Sequence, residues 1–264
     1  MFYTAKGACR LQAHRGVSTD CPENTLAAFR AAVKQGYEVI ELDPAITADG
    51  QFVILHDKTV NRTARQQDGG RLATPTPIRE LTLEEARRLD VGLWFGDRFR
   101  GERIPTLAEV LELAYQTGIE LKLDNKVQSF SEEEETAFFD EIEAHRGGHL
   151  ASFTCSDFQY MCRVNERFPK AALHYDGVSD YEGFLTARYI AEDAPLTCWI
   201  RYGNALTAWS DNAPADIELC QQARYCGKLG IWLVDDVAEA RRAVDLFGAH
   251  IIETSGAVKP TKKQ

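Results

Sequence analysis

The sequence predicts an α/β fold in which eight parallel strands close into a barrel, with a small insertion after the second strand. Eight short apolar runs alternate with amphipathic segments, which is typical of strand and helix repeats that build a parallel sheet. The chain has 264 residues, which suits a (β/α)8 barrel of roughly 250 residues. Histidines and acids also stand at the ends of several apolar runs, where such barrels carry their chemistry.

The predicted strands and helices follow this periodicity along the chain. The strand-like runs are residues 10–14, 38–43, 119–124, 150–155, 171–175, 197–200, 230–234 and 250–253. The amphipathic helices include residues 24–35, 106–116, 131–145, 157–168 and 216–225. Eight such units predict a closed TIM (β/α)8 barrel, and a single domain is expected over residues 1–264.

Residues 44–105 interrupt the rhythm and form the predicted insertion. A turn signal at residues 47–50 precedes the apolar run 52–55, which indicates a hairpin. This hairpin would return His56 over the mouth of the barrel. A further helix is predicted at residues 82–89.

The acidic balance bears on the partners of the protein. The formal net charge is −10, whereas proteins that bind nucleic acid usually present a basic surface. Nucleic acid is therefore not expected as a partner, and a site for an anionic substrate must supply its own positive charge. The acidic run at residues 132–135 is expected to be the solvated first turn of a helix.

The cysteines and the first residues of the chain indicate in which cellular compartment the protein is expected. The seven cysteines show neither a C-x-x-C pair nor disulfide-like spacing, which indicates reduced packing thiols. Residues 1–6 show no basic region followed by an apolar stretch, and no apolar run approaches about 18 residues. A cytoplasmic location without stable membrane insertion is expected.

Glu41 and Asp43 form an E-x-D pair at the end of the second predicted strand. Residues two apart on a strand share a face and lie roughly 6.6 Å apart along its axis. One hard cation could sit between the two carboxylates. In isolation, an E-x-D pair is more often two solvated acids at a strand end.

Several ordered motifs together resemble those of the glycerophosphodiester phosphodiesterases. They are His14-Arg15-Gly16, P-E-N-T at residues 22–25, E-x-D at residues 41–43, His56-Asp57 and I-P-T-L at residues 104–107. The similarity thins toward the C-terminus. The resemblance implies hydrolysis of a small-molecule glycerophosphodiester to sn-glycerol 3-phosphate and an alcohol, with one divalent cation as cofactor.

The resemblance also implies roles for the acids and histidines. Glu41, Asp43 and Asp124 would hold the cation, and their oxygen ligands suit Mg²⁺ or Ca²⁺, with Mn²⁺ as a further choice. Asp124 stands where the family usually has glutamate, which is one methylene longer. His14 and His56 would transfer protons on opposite sides of phosphorus, although the residue types alone also allow a zinc site that includes both.

Basic and aromatic residues are expected around the phosphate. Arg15 and Lys126 are expected to contact the phosphoryl oxygens and stabilise their charge. Strand alternation predicts Lys122, Asp124 and Lys126 on one face. Lys122 would then either bind phosphate or belong to a row of salt bridges in the barrel core. Trp232 would pack against the glycerol moiety or fill the core.

Two other functions stay open at this point. The chain could be a lysophospholipase D or a sphingomyelinase D-like phosphodiesterase, which an exposed apolar rim around Trp94 and Phe95 would favour. These two aromatic residues could instead pack the insertion onto the barrel. A catalytically silent phosphate-binding barrel is the second alternative, motivated by Asp124 and by Ser255 in place of the family's aspartate.

Overall fold

A computed structural model describes residues 1–203 and 214–261. The strands are β1 (Phe2–Tyr3), β2 (Ala8–His14), β3 (Val39–Leu42), β4 (Pro44–Ile46), β5 (Phe52–Ile54), β6 (Glu120–Leu123), β7 (Ala151–Cys155), β8 (Leu173–Tyr175), β9 (Leu196–Arg201), β10 (Lys228–Trp232) and β11 (Ile251–Thr254). Eight of them form a parallel barrel in the order β2-β3-β6-β7-β8-β9-β10-β11, closed by pairing of β11 with β2. The predicted fold is confirmed.

Helices connect the barrel strands on the outside. In chain order they are α1 (Leu26–Gln35), α2 (Leu83–Arg88), α3 (Leu107–Thr117), α4 (Glu132–Ala144), α5 (Phe158–Arg167), α6 (Tyr181–Ala191), α7 (Ile217–Cys226) and α8 (Val237–Asp245). All except α2 join consecutive barrel strands. A side chain at each N-cap accepts a hydrogen bond from the first turn, which explains why the helices begin where they do. The acidic run at residues 132–135 is the first turn of α4, as predicted, but Glu135 is buried in an ion pair with Arg163 and is not solvated.

The hydrophobic core lies inside the barrel and between the barrel and its helices. Trp199 on β9 is 1% exposed and fills space beside Gly230 of the neighbouring strand β10. A Cβ atom at position 230 would lie 2.5 Å from the indole ring of Trp199. Glycine at this position therefore allows a large aromatic side chain to occupy the barrel interior.

The insertion, residues 44–105, has its own small core. Strands β4 and β5 pair as an antiparallel hairpin, as predicted. Two 3-10 helices, Ile78–Glu80 and Asp97–Phe99, and helix α2 follow. Most buried residues of this part form a hydrophobic cluster separate from that of the barrel, whereas Ile46, Phe52 and Ile54 of the hairpin belong to the barrel core. The boundaries of a single domain over residues 1–264 stay a prediction, since residues 204–213 and 262–264 lie outside the described part.

The aromatic residues of the insertion, the cysteines and the lengths of the helices can be compared with the expectations from sequence. Trp94 packs edge-on against Phe95, which packs in the same way against Phe99, so these aromatic rings contact one another within the insertion. All seven cysteines are free thiols, six of them buried. No helix in the described ranges is long and apolar enough to cross a membrane.

Candidate functional site

The candidate site lies where the first strands of the barrel end. His14 is the last residue of β2 and is in register with Glu41 of the adjacent strand β3. Asp43 directly follows β3, and Asp124 directly follows β6, the next strand in the barrel. Because the carboxyl ends of parallel strands share one rim, residues distant in sequence converge there. The geometry confirms that the three predicted acids lie together.

The carboxylates of Glu41, Asp43 and Asp124 each offer an oxygen within 4.8 Å of the other two. Burial, followed by the charge of Asp43, raises the pKa of Glu41 well above its ordinary value, and the same causes raise the pKa of Asp124. Three acids this close, of which Glu41 and Asp43 are buried and Asp124 is half-buried, repel one another unless positive charge is supplied. An all-oxygen donor set of this kind fits a hard divalent cation such as Mg²⁺ or Ca²⁺.

Asp43 has the largest number of polar partners among the three acids. Asn24 donates a hydrogen bond of 2.7 Å to its Oδ2 atom, the Nε of Arg15 lies 3.4 Å from the same oxygen, and the ammonium of Lys126 contacts Oδ1. Burial opposes ionisation of Asp43, but Lys126 and Arg15 outweigh it and hold its pKa well below the ordinary value. Asp43 is therefore a carboxylate at neutral pH.

The turn after β2 places Arg15 between two acids. Its backbone N–H donates to Glu41 Oε2 at 2.9 Å, and its guanidinium lies 2.9 Å from Glu23. Arg15 adopts a φ of 55° and Gly16 a φ of 80°, and a Cβ atom at position 16 would lie 2.7 Å from that of Ala28. The H-R-G motif is thus a tight turn against helix α1, and only glycine fits its last position.

His56 enters the site from the hairpin and is held by a chain of ion pairs. Its Nδ1 lies 2.6 Å from Asp57 Oδ1, and Arg62 binds both oxygens of Asp57 at 2.6 and 3.0 Å. Arg62 also binds both oxygens of Glu23, which in turn contacts Arg15. Burial opposes ionisation of Asp57, but hydrogen bonds from Arg62 and His56 outweigh it and lower its pKa to about 2. The insertion and the barrel are linked through Glu23.

The prediction that Lys122, Asp124 and Lys126 share one strand face is wrong for Lys126. Strand β6 ends at Leu123, and Asp124 caps a 3-10 helix that contains Lys126. The turn breaks the strand alternation on which the expectation depended. Lys126 still reaches the site, since its ammonium contacts Asp43 and lies 4.0 Å from Asp124.

Lys122 lies deeper, inside the barrel. Its Nζ is 3.3 Å from Glu253 Oε2 on β11 and 4.1 Å from the centre of the Trp199 ring. Gln12 of β2 also donates to Glu253. These contacts support the salt-bridge alternative for Lys122, whereas a contact with phosphate stays a prediction.

Glu253→Ala is expected to lower the free energy of unfolding by about 3–5 kcal/mol, because it leaves the Lys122 ammonium buried without its partner. The double replacement Lys122→Met with Glu253→Leu is expected to restore most of that loss, since neither member of the buried ion pair is then left without its partner. Urea denaturation of the three proteins measures both values. Glu84→Ala, which removes an exposed ion pair with Arg88, is the control and should leave the midpoint unchanged. Equal stability of wild type and Glu253→Ala would contradict the assignment.

The opposite side of the barrel mouth carries Trp232. Its Nε1 donates a hydrogen bond of 3.2 Å to Asp176, which follows β8. Burial raises the pKa of Asp176 to about 6. Trp232 is half-buried at the end of β10, so its ring is neither fully in the core nor fully exposed.

The other histidines are not brought into this site. His174, for example, is 1% exposed, and its ring contacts Ser152 and accepts a hydrogen bond from Trp199. Glu23, Asn24 and Arg62 were not expected at the site, although the P-E-N-T motif and the segment after His56-Asp57 contain them. Asp176 and Glu253 were not expected there either. Each is a polar residue near the end of an apolar run, and this position was the signal available in the sequence.

Comparison with known proteins places these features in a family context. Residues 14–196 match the model of the glycerophosphoryl diester phosphodiesterase family. A glycerophosphodiester phosphodiesterase of Caldanaerobacter subterraneus subsp. tengcongensis is 48% identical over 101 residues, which are 38% of this chain and 38% of that protein. Glycerophosphodiester phosphodiesterase 1 of Mus musculus is 43% identical over 117 residues, 43% of this chain and 33% of that protein. The matched segments thus span less than half the length of these relatives.

Solved structures share the fold over nearly the whole chain. An Oleispira antarctica phosphodiesterase, in complex with the product sn-glycerol-3-phosphate, superposes with a TM-score of 0.76 at 24% identity and covers 94% of this chain and 93% of that one. A glycerophosphoryl diester phosphodiesterase of Parabacteroides distasonis gives a TM-score of 0.71 at 20% identity and covers 96% and 85%. At these identities the likeness concerns the barrel fold.

Proposed function

This chain belongs to the glycerophosphoryl diester phosphodiesterase family, and on that premise we propose that it hydrolyses glycerophosphodiesters to sn-glycerol 3-phosphate and an alcohol. The observation that carries the proposal is the convergence at one rim of three carboxylates with His14, Arg15, Lys126 and His56. This set combines an oxygen-rich cation site, fixed positive charge and two groups that transfer protons. A metal-assisted phosphodiester cleavage uses these three elements.

Glu41, Asp43 and Asp124 would hold one Mg²⁺ or Ca²⁺. When bound, the ion neutralises a non-bridging phosphoryl oxygen and lowers the pKa of an attacking hydroxyl or water. Arg15 and Lys126 stabilise the negative charge that develops on the remaining oxygens. The guanidinium of Arg15 and the ammonium of Lys126 both contact the carboxylate of Asp43. In this proposal they therefore lie next to the phosphate.

His14 acts as the base and His56 as the acid. Burial lowers the pKa of His14, which keeps its imidazole neutral and able to accept a proton at pH 7. The Nδ1 of His56 is held by Asp57, which leaves Nε2 to deliver a proton. Arg62 is a positioning residue because it fixes Asp57 and so orients the His56 ring.

Asp124, which stands where the family usually has the longer glutamate, gives a specific test of the cation site. Asp124→Asn is expected to weaken the affinity for Mg²⁺ at least about tenfold, because a neutral amide replaces one of three carboxylates. Asp124→Glu is expected to retain much of that affinity. Titration calorimetry with the metal alone measures both values. Identical affinities of wild type and Asp124→Asn would show that Asp124 serves only its contact with Lys126.

The activity itself is tested by assaying the purified protein against glycerophosphocholine, glycerophosphoethanolamine and lysophosphatidylcholine, with and without added Mg²⁺ or Ca²⁺. We expect hydrolysis of the two glycerophosphodiesters, with release of sn-glycerol 3-phosphate, in the presence of metal. Hydrolysis of lysophosphatidylcholine alone would support the lysophospholipase D alternative. A protein that binds phosphate but cleaves none of the three would be a silent barrel.

A further inference from the structure

A groove of about 860 Å³ runs between the insertion and the start of α4. One wall is formed by the hairpin and the 3-10 helix Ile78–Glu80, and the other by the segment that leads from Lys126 into α4. Arg79 on the first wall binds both carboxylate oxygens of Glu134 on the second, at 2.6 and 3.1 Å. Pockets of this volume hold drug-sized ligands, so the groove is larger than choline or ethanolamine requires.

The groove begins at the candidate catalytic centre. His56 and Lys126 both line it. In the function proposed above, His56 protonates the leaving oxygen, so that oxygen must lie beside His56. The alcohol that departs is then directed into the groove, whereas the attacking oxygen approaches from the opposite side of phosphorus.

The walls offer an apolar surface. The half-buried apolar lining residues are Ala45, Pro77 and Phe130, and they are backed by the buried residues Pro44, Ile46, Leu55 and Ile78. Contact with such side chains favours an apolar ligand, because burial of each methylene removes hydrocarbon surface from water.

The charged lining residues do not favour a cationic headgroup. Asp57 is bound by Arg62 and Glu134 by Arg79, so both acids already have a guanidinium partner. The guanidinium of Arg79 also lies over the Phe130 ring, 5.6 Å from its centre, and so already makes a cation–π contact with the aromatic residue of the lining. The exposed Lys58 adds further positive charge to the lining.

We propose that this groove binds the leaving alcohol of the substrate and that this alcohol carries an apolar chain. The inference rests on the proposed function and adds a substrate class to it. The preferred substrates are diesters of sn-glycerol 3-phosphate with a neutral, hydrophobic alcohol, ahead of those with choline or ethanolamine.

The test compares the ethyl and n-octyl diesters of sn-glycerol 3-phosphate, with glycerophosphocholine as a third substrate, all below the micelle concentration of the octyl ester. Ethoxide and octoxide leave with similar ease, so a difference between them reports binding of the chain. We expect kcat/KM to be at least about tenfold higher for the octyl ester than for either other substrate.

Two matched variants test whether the preference for the octyl ester arises in the groove. Ser129→Asp adds a negative charge at an exposed position that lines the groove. We expect it to bring the octyl-to-ethyl ratio of kcat/KM toward one. Ala73→Asp adds the same charge at an exposed position of the insertion away from the groove lining and should keep the wild-type ratio.

Failure of this inference can be distinguished from failure of the proposed function. Hydrolysis of all three substrates with equal kcat/KM for the ethyl and octyl esters overturns the groove assignment and leaves the proposed function standing. An octyl preference that Ser129→Asp does not reduce also overturns the assignment. If none of the three substrates is cleaved in the presence of metal, the proposed function fails and the inference fails with it.

Discussion

Glu41→Gln and Asp43→Asn are each expected to reduce hydrolysis of glycerophosphocholine at least about 10³-fold. Both replacements remove a buried carboxylate from a cluster whose oxygens lie within 4.8 Å of one another. The bound cation is expected to contribute several kcal/mol of charge stabilisation to the transition state, and each 1.36 kcal/mol corresponds to about tenfold in rate. Exhaustive chelation of the wild type is expected to cause the same loss, and added Mg²⁺ or Ca²⁺ is expected to reverse it.

Measuring the metal content of the purified proteins tests the cation site without an activity assay. After dialysis against Mn²⁺, the wild type is expected to retain about one equivalent and the two variants much less. Glu84→Gln, which changes an exposed glutamate outside the site, is the control and should behave as wild type. Full activity of the chelated wild type would exclude the cation from the mechanism.

His56→Ala is expected to lower kcat for glycerophosphocholine by about 10²–10⁴-fold but to spare much of the activity on a nitrophenyl phosphodiester. Choline departs as a poor leaving group and needs a proton, whereas nitrophenolate does not. His14→Ala removes the proposed base and is expected to reduce turnover of both substrates by a similar factor. Steady-state kinetics with the two substrates distinguishes the histidines.

Arg62→Ala extends this experiment to the positioning of His56. Loss of its contacts with Asp57 and Glu23 is expected to give a smaller decrease on glycerophosphocholine with the same sparing of the nitrophenyl substrate. Arg71→Ala, an exposed arginine of the insertion, is the control. If His14→Ala is the variant rescued by the activated substrate, the two roles are reversed. If neither histidine variant is rescued, a metal-bound water is the better proton donor.

The sequence alone determined the barrel, the hairpin and the meeting of the three acids. Strand and helix periodicities are local, and so are the N-cap residues such as Thr106 and Ser131 that begin α3 and α4. The meeting of Glu41, Asp43 and Asp124 then follows from topology, because a parallel barrel brings all strand ends to one rim. His14 and His56 were assigned by motif, and their catalytic roles stay predictions.

Only the tertiary structure decided which charged groups pair. Lys122 and Glu253 are 131 positions apart, and Arg62 meets Glu23 across the junction between insertion and barrel. Lys126 was placed on a strand by alternation, yet it lies on a 3-10 helix because Asp124 caps a turn there. Such contacts, and the groove beside His56, depend on where the fold sets distant side chains in three dimensions, and local sequence patterns contain no information on those distances.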